Sequence, residues 1–295
     1  MKRIVVVGAG FAGLAAAYFL SEYFQVTIFD QKGIGGGASG ASSGLLHPYP
    51  GEKGRRSWHA DEAMAATRQL LKVAEDDLGQ LVANYNGILR LGECLGWNAK
   101  DGEDVECLGE QKYLIKSGIT VFPELYLQGL WQACQKRGVG LIIQKISSLA
   151  ELDYDQIVLT VGAGIRDFSE ARNLKINFVK GQVLTCTLDQ PLERSISSKR
   201  YIAMTSSPEI CHLGATYERD FTTDEPCLEI AVSLLKPETT VLDCRAGIRV
   251  TNPAHYFPIL EKLNPTTWVI TALGSRGLLY HAYMAQQLCK KMIEK

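Results

Sequence analysis

Residues Arg3–Leu20 read RIVVVGAGFAGLAAAYFL, and the fold turns on this stretch. Arg3–Val7 is a β-branched run of the kind expected for a parallel strand buried on both faces. The turn Gly8-Ala9-Gly10-Phe11-Ala12-Gly13 follows, and the alanine-rich segment after it predicts a helix to about Leu20. QVTIFD, Gln25–Asp30, then predicts a second strand that closes on an acid 17 residues after Gly13. Strand, glycine turn, helix and acid-terminated strand make up the βαβ pattern that binds dinucleotides. Gly8 allows the tight turn, Gly10 lets a pyrophosphate approach the backbone, and Gly13 lets the helix pack closely on the strand. The helix N-terminus presents free N–H groups and a partial positive charge to the phosphates. Asp30 is placed to accept hydrogen bonds from a ribose hydroxyl. The pattern alone leaves NAD and FAD both open.

Length and composition bound the rest. At 295 residues the chain is long enough for one large domain or two interleaved ones. A formal net charge of −1 advertises neither nucleic acid nor an anionic membrane as partner, although a local basic patch is compatible with it. The eight cysteines are scattered singly with no C-x-x-C pair, which argues against a zinc framework or a disulfide scaffold and for reduced thiols. The basic and apolar N-terminus imitates a signal peptide, but its glycine spacing and Asp30 argue for a folded βαβ unit. No segment is long and apolar enough to span a membrane, and the expected location is the cytoplasm.

Further along, His59–Leu78 and Leu125–Arg137 show helical periodicity, the second stopped by Gly138. Asn86–Gly92, VGLII (Val139–Ile143) and QIVLTV (Gln156–Val161) predict strands, the last running into Gly162-Ala163-Gly164. Phe178–Leu188 and Ile210–Thr216 predict strands of a separate, antiparallel sheet. TWVITAL (Thr267–Leu273), the loop Gly274-Ser275-Arg276-Gly277 and a helix from about Leu278 to Ile293 return to the nucleotide-binding pattern. The expected fold is therefore α/β. A Rossmann-like nucleotide domain (1–52, 120–172 and 245–295) is interleaved with an α+β substrate domain (53–119 and 173–244) built on an antiparallel sheet.

One stretch is unexplained by this plan: GASGASSGLLHPYPG, Gly37–Gly51, a second glycine-serine loop directly after the phosphate loop. Together with VVVGAGFAGLAAAYFL, NGILRLG, QIVLTVGAG, KGQVLT, GATYERDF, AGIRVTNPAHYFPIL and ALGSRGLLYHA, it gives the chain a nearly end-to-end resemblance to the D-amino-acid oxidase family of FAD flavoenzymes. That family includes glycine oxidase and sarcosine oxidase. LGATYERDFTTDEP and ALGSRGL look most like the oxidase domain of bifunctional proteins that make 5-methylaminomethyl-2-thiouridine in tRNA. The chain departs from the amino-acid oxidases in having Val250 rather than proline after Arg249, and His255 where an acid is usual.

The resemblance implies FAD. It places the loop after the second strand over the cofactor, with Ala38, Ser39 and Ser43 supplying hydrogen bonds and Gly40 and Gly44 giving close backbone approach. Gln31, Leu45, Gly162, Gly274, Ser275, Gly277 and Leu278 are implied as further cofactor contacts. Arg249 and Arg276 are implied to face a substrate carboxylate, a group that arginine's planar fork pairs bidentately. Tyr201 falls where the family often sets a tyrosine over the substrate. His47 is expected to pack beside Pro48 rather than act as a base, and Lys180-Gly181-Gln182 matches a turn linking the domains.

The implied activity is amine oxidation, removing the carboxymethyl group of 5-carboxymethylaminomethyluridine at the tRNA wobble position. Oxidation of free glycine, sarcosine or a D-amino acid is the alternative, and a non-catalytic flavin- or tRNA-binding protein is the second. For tRNA, Lys53, Arg55 and Arg56 with Lys199 and Arg200 are the candidate phosphate contacts. The methyltransferase half of the bifunctional proteins is absent from this sequence, so a separate methyltransferase is implied as the enzyme acting on the product.

Overall fold

The computed structural model describes residues 1–51, 53–93, 97, 101–234 and 240–294. Its first layer is a six-stranded sheet in the order Ile259–Asn264, Thr267–Thr271, Gln156–Leu159, Arg3–Val7, Gln25–Asp30, Gly140–Ile143. All neighbours are parallel except the first pair. Arg3–Val7 is central, and its alternating side chains serve two cores. Ile4 and Val6 point into the helical side, while Val5 and Val7 join Phe29, Leu159 and Val269 on the other.

The helical side holds α1 (Phe11–Leu20), α2 (Ala60–Leu78), α3 (Pro123–Lys136) and, after the single turn α4 (Leu228–Ala231) elsewhere, the long α5 (Gly277–Ile293). On α2, Ala63, Ala66, Leu70, Leu71 and Ala74 recur at helical spacing and are buried in this core. Thr67 Oγ1 also donates to Leu278 O at 2.9 Å. Gly129 of α3 permits the crossing, since a Cβ there would sit 2.4 Å from Ala74 O. Thus α2 packs with the nucleotide layer, whereas the sequence reading put 53–119 wholly in the substrate domain. The boundary fails because the apolar stripe of α2 has its complement on α3 and α5.

The second layer is an eight-stranded sheet ordered Val241–Thr251, Asn177–Thr187, Ile210–Gly214, Tyr201–Met204, Ile196–Ser197, Ile88–Leu91, Lys112–Ile115, Val105–Gly109. Its neighbours are antiparallel except the short Ile196–Ser197 pairing with Ile88–Leu91. Residues 245–251 therefore belong to this sheet, and the chain re-enters the parallel sheet only at Ile259. Lys180-Gly181-Gln182 lies in mid-strand, not in a turn. Gly181 pairs with Gly247 and Val179 with Arg249. The buried Lys180 donates to Thr223 O at 3.0 Å and Glu225 O at 2.5 Å, and Gln182 Oε1 accepts from Cys227 N, so this strand anchors the 216–227 loop. A small third sheet of Leu45–Leu46, Ile119–Val121 and Ala83–Asn84 adds Leu46, Ala83, Ile119 and Val121 to the helical core. Cys94 lies outside the described residues, and the described cysteines are free thiols.

Three desolvated histidines tie stability to pH: His212 and His281 are buried, and His47 is half-buried at a cavity wall. Burial lowers His47, His212 and His281 to about 4, with Arg90 adding to the effect at His47 and Arg245 at His212. His281 is locked neutral between α3 and α5: Tyr126 Oη lies 2.6 Å from Nε2, and Nδ1 is 3.0 Å from Leu278 O. Below about pH 6.5 the unfolded chain protonates these rings while the folded chain does not. Protons therefore favour unfolding between pH 6.5 and about 4, and each ring contributes up to roughly 3 kcal/mol that is present above that window and lost as pH falls through it. Urea unfolding at pH 7, 6 and 5 should show a falling midpoint. A midpoint flat across this range would contradict the neutral burial of these rings.

Candidate active site

Where the two layers meet, a cavity of about 390 Å³ runs from the N-terminus of α1 to the face of the eight-stranded sheet. Arg249, Arg276 and Tyr201 line it together. So do Gly10, Phe11, Ala12, Ala38, Ser39, Ser43, Leu45, Gly162, Gly274, Ser275, Gly277 and Leu278. A larger open groove of about 610 Å³ lies between the 34–41 loop and α3, but its one arginine, Arg245, already pairs with Glu124 at 2.7 Å. The smaller cavity is the candidate because it gathers the α1 N-terminus with Arg249 and Arg276 in one enclosure.

At its phosphate-like end, Gly10 caps α1 without a side chain, and Phe11 N donates to Ser39 Oγ at 3.0 Å. Gly8 has φ +108° and Gly13 carries the closest approach, since a Cβ there would fall 1.8 Å from Gly8 O. Neither lines the cavity; both set the turn behind it. Asp30 also stands outside the lining. Its carboxylate accepts from Ala9 N at 2.7 Å, Lys32 N at 2.8 Å and Gly33 N at 2.9 Å, so its first work is to hold the turn. Gln31 is exposed beside it. Gly44 and Gly40 give close approach to the chain itself rather than to a ligand: a Cβ at Gly44 would lie 1.8 Å from Val121 O, and one at Gly40 2.3 Å from Gly35 O. The Gly37–Gly51 loop is thereby fastened over the cavity.

At the other end, two glycines, Gly181 and Gly214, whose role the sequence did not show, make room for the functional side chains. A Cβ at Gly181 would sit 2.1 Å from the Arg249 guanidinium, and one at Gly214 would sit 2.3 Å from Tyr201 Oη. Glycine inside a strand is the signal that could have revealed them. Arg249 donates, among the described residues, only to Thr216 O, at 3.4 Å, and Arg276 donates to Tyr256 O at 3.1 Å. Among the described residues neither meets a carboxylate. Burial pulls Arg249 below its ordinary value, the mark of a cation held in a poorly solvated place. Burial raises Tyr201, against the opposing effects of Ser43, Arg249 and Arg245, so its phenol is protonated and able to donate at neutral pH.

Other cavity residues extend the list. Buried Arg90, which sequence reasoning missed, donates to Gly51 O at 2.8 Å. His47 lines the cavity as a neutral ring whose Nδ1 accepts from Tyr49 N at 3.2 Å. Lys199 reaches the lining, while Arg200, Lys53 and Arg55 are exposed. Arg56 donates to Tyr49 Oη at 3.0 Å and pairs with Asp61.

The profile of the family described as FAD dependent oxidoreductase matches residues 3–291. The chain belongs to this family. Its cofactor is FAD, and the residues present fit that group: a helix N-terminus whose cap residue, Gly10, has no side chain opens on a cavity that continues to the substrate sheet. Similar proteins include the tRNA 5-methylaminomethyl-2-thiouridine biosynthesis bifunctional protein MnmC of Campylobacter jejuni, 24% identical over 74% of this chain and 38% of that protein. The chain thus spans less than two fifths of the length of that relative. The uncharacterized oxidoreductase YurR of Bacillus subtilis is 22% identical across 100% of this chain and 96% of its own. Among solved structures, iminodiacetate oxidase from Chelativorans sp. BNC1 superposes with TM-score 0.81 at 19% identity, covering 99% of this chain and 96% of that one. Glycine oxidase from Bacillus cereus gives TM-score 0.79 at 18% identity, covering 98% and 96%. These structures establish a shared fold for this FAD-dependent oxidoreductase. No described helix is long and apolar enough to cross a membrane.

Proposed function

We propose that this FAD-dependent oxidoreductase oxidises the CH–NH bond of an N-substituted glycine, and that its substrate is 5-carboxymethylaminomethyluridine, or its 2-thio form, at the wobble position of tRNA. The observation that carries the reading is the pair of arginines, Arg249 and Arg276, lining the same cavity as the α1 N-terminus with no carboxylate partner among the described residues. Two such cations in an enclosed site call for an anionic ligand. The similarity to the bifunctional tRNA protein supports the macromolecular substrate.

In this reading the N–H groups at the start of α1 receive the pyrophosphate of FAD, Ser39 and Ser43 hold the covering loop against it, and Gly274, Ser275 and Gly277 border the ring end. FAD, when bound, supplies the two-electron acceptor for a hydride from the glycine α-carbon. Arg249 and Arg276 pair with the substrate carboxylate, and the protonated Tyr201 donates a hydrogen bond beside it. With the carboxylate fixed, the α-hydrogen has one direction to leave, which is an orientation effect of the kind that accelerates reactions most. The neutral His47 neither adds nor removes charge near the amine. Loss of hydride leaves an imine, whose hydrolysis by water yields glyoxylate and the aminomethyl nucleoside.

A second reading is oxidation of a free small amine such as glycine or iminodiacetate. It is favoured by the two structural relatives that carry those names. Incubation with tRNA bearing the carboxymethylaminomethyl group should release glyoxylate and leave aminomethyluridine, seen by nucleoside mass spectrometry. Efficient turnover of glycine or iminodiacetate with the tRNA left intact would replace the first reading by the second.

A further inference from the structure

Beside the cavity, outside its lining, lies an aromatic surface that the chemistry above does not use. The Trp58 ring stacks on Phe257, centroids 5.3 Å apart and planes at 23°. His255 leans on Phe257 at 4.5 Å. Trp58 also packs on His59 at 4.3 Å, Tyr283 at 6.1 Å and Tyr280 at 6.3 Å. It and Phe257 are nevertheless each 37% exposed and Tyr256 51%, so part of this cluster meets water. Two bonds tie it to the site. Arg276 Nη1 donates to Tyr256 O at 3.1 Å, and Tyr280 Oη of α5 donates to Trp58 O at 2.9 Å. The segment leading to Trp58 leaves the cavity at Pro50 and Gly51.

We infer that Trp58 and Phe257 form a stacking platform for the RNA base adjoining the nucleotide that enters the cavity. The inference rests on the tRNA reading and deepens it. A nucleoside can reach Arg249 and Arg276 only by leaving its loop, and its neighbour then loses a stacking partner. Single-stranded bases recover that loss on aromatic rings, in any sequence context, where cations hold the adjoining phosphates. The local charge fits this occupant. Among the described residues of this segment, Asp61 pairs with Arg56 and Glu62 with His59 at 3.0 Å. Lys53 and Arg55 on the same segment are exposed and, among the described residues, meet no carboxylate.

The test compares the FAD-loaded enzyme with its Trp58→Ala, Phe257→Ala and Trp58→Phe variants. Substrates are an anticodon stem-loop bearing carboxymethylaminomethyluridine, the same stem-loop with an abasic neighbour, and free N-ethylglycine. Each alanine variant should raise KM for the intact stem-loop about tenfold or more, with kcat near wild type. Trp58→Phe should recover most of the loss, and N-ethylglycine should be oxidised at the wild-type rate by all. The abasic neighbour should weaken wild type but add nothing to the alanine variants, the coupling expected of one contact. If wild type acts on the stem-loop and both alanine variants match it, the platform is overturned and the tRNA reading stands. If wild type oxidises N-ethylglycine and ignores the stem-loop, the tRNA reading fails and the platform with it. If wild type is a dimer and the alanine variants are monomers in sedimentation, the patch is a self-interface and the inference is overturned.

Discussion

Arg249→Ala should lower kcat/KM by two to four decades while the protein stays folded and yellow. The side chain stands in the space left by Gly181, bonded among the described residues only to Thr216 O and held in surroundings that disfavour its own charge. A cation kept there at such cost gains when a carboxylate arrives. Stranding that carboxylate by removing its partner costs about 3–5 kcal/mol, and each 1.4 kcal/mol is roughly tenfold in rate. Cavity lining on the α1 side is untouched, so the absorbance of bound FAD should be retained. Arg249→Lys keeps the charge but loses the fork, and should recover only part of the loss. Arg276→Ala should act in the same direction, because that side chain lines the same cavity and has a single carbonyl partner through its Nη1. Steady-state kinetics on an N-alkylglycine decides the matter. Efficiency within threefold of wild type for both alanine variants would mean that the carboxylate is held by another cation of the cavity, with Arg90 the first to examine.

Gly13→Ala should remove the holoenzyme altogether. The new methyl group would lie 1.8 Å from Gly8 O and 2.8 Å from Thr160 Oγ1, and the nearer contact is backbone, with no flexible end to swing aside. Thr160 Oγ1 itself donates to Val7 O at 2.9 Å, so the strand below cannot give without breaking its own bonds. Helix α1 must rise off Arg3–Val7, prising apart a core in which Leu14, Ala15, Ala16 and Ala17 have no exposed surface. Overpacking of this kind costs about 1–3 kcal/mol even where side chains can adjust, and more where they cannot. Against a typical net stability of about 5–15 kcal/mol, that is a large part of the total. Little soluble protein is expected, with no flavin absorbance. Gly102→Ala, where nothing lies within 4 Å and φ is not positive, controls for glycine replacement as such. A yellow Gly13→Ala protein with an unchanged melting temperature would refute the packing role given to this residue.

Why was the nucleotide layer legible in the sequence? Its signals are local. The turn from Gly8 to Gly13, the strand before it and the helix after it fall within twenty consecutive residues, and the structure has them as read, Arg3–Val7 and Phe11–Leu20. The helix Gly277–Ile293 and the buried strand Thr267–Thr271 were equally plain from periodicity and apolar runs. The reading of Arg249, Arg276 and Tyr201 as neighbours came from resemblance, since they are far apart in the chain, and the structure sets all three around one cavity.

What the sequence could not show was every relation made across distance. Lys180-Gly181-Gln182 matched a domain-linking turn by resemblance, yet its conformation is decided by pairing with Val241–Thr251. Gly181 and Gly214 are spaces for Arg249 and Tyr201, a purpose visible only once strands lie side by side. Arg56 was a phosphate candidate in the sequence, and the structure sets Asp61 and Tyr49 beside it. Asp30 looked poised for a ribose, and the structure turns its carboxylate first on three backbone N–H groups. By itself, then, the sequence determined that a dinucleotide-binding βαβ unit opens the chain, because backbone sterics and apolar periodicity act between near neighbours. Only the tertiary structure decided where α2 packs, which cations meet no carboxylate among the described residues and which rings face water, because burial and charge compensation depend on residues that the chain brings together from far away.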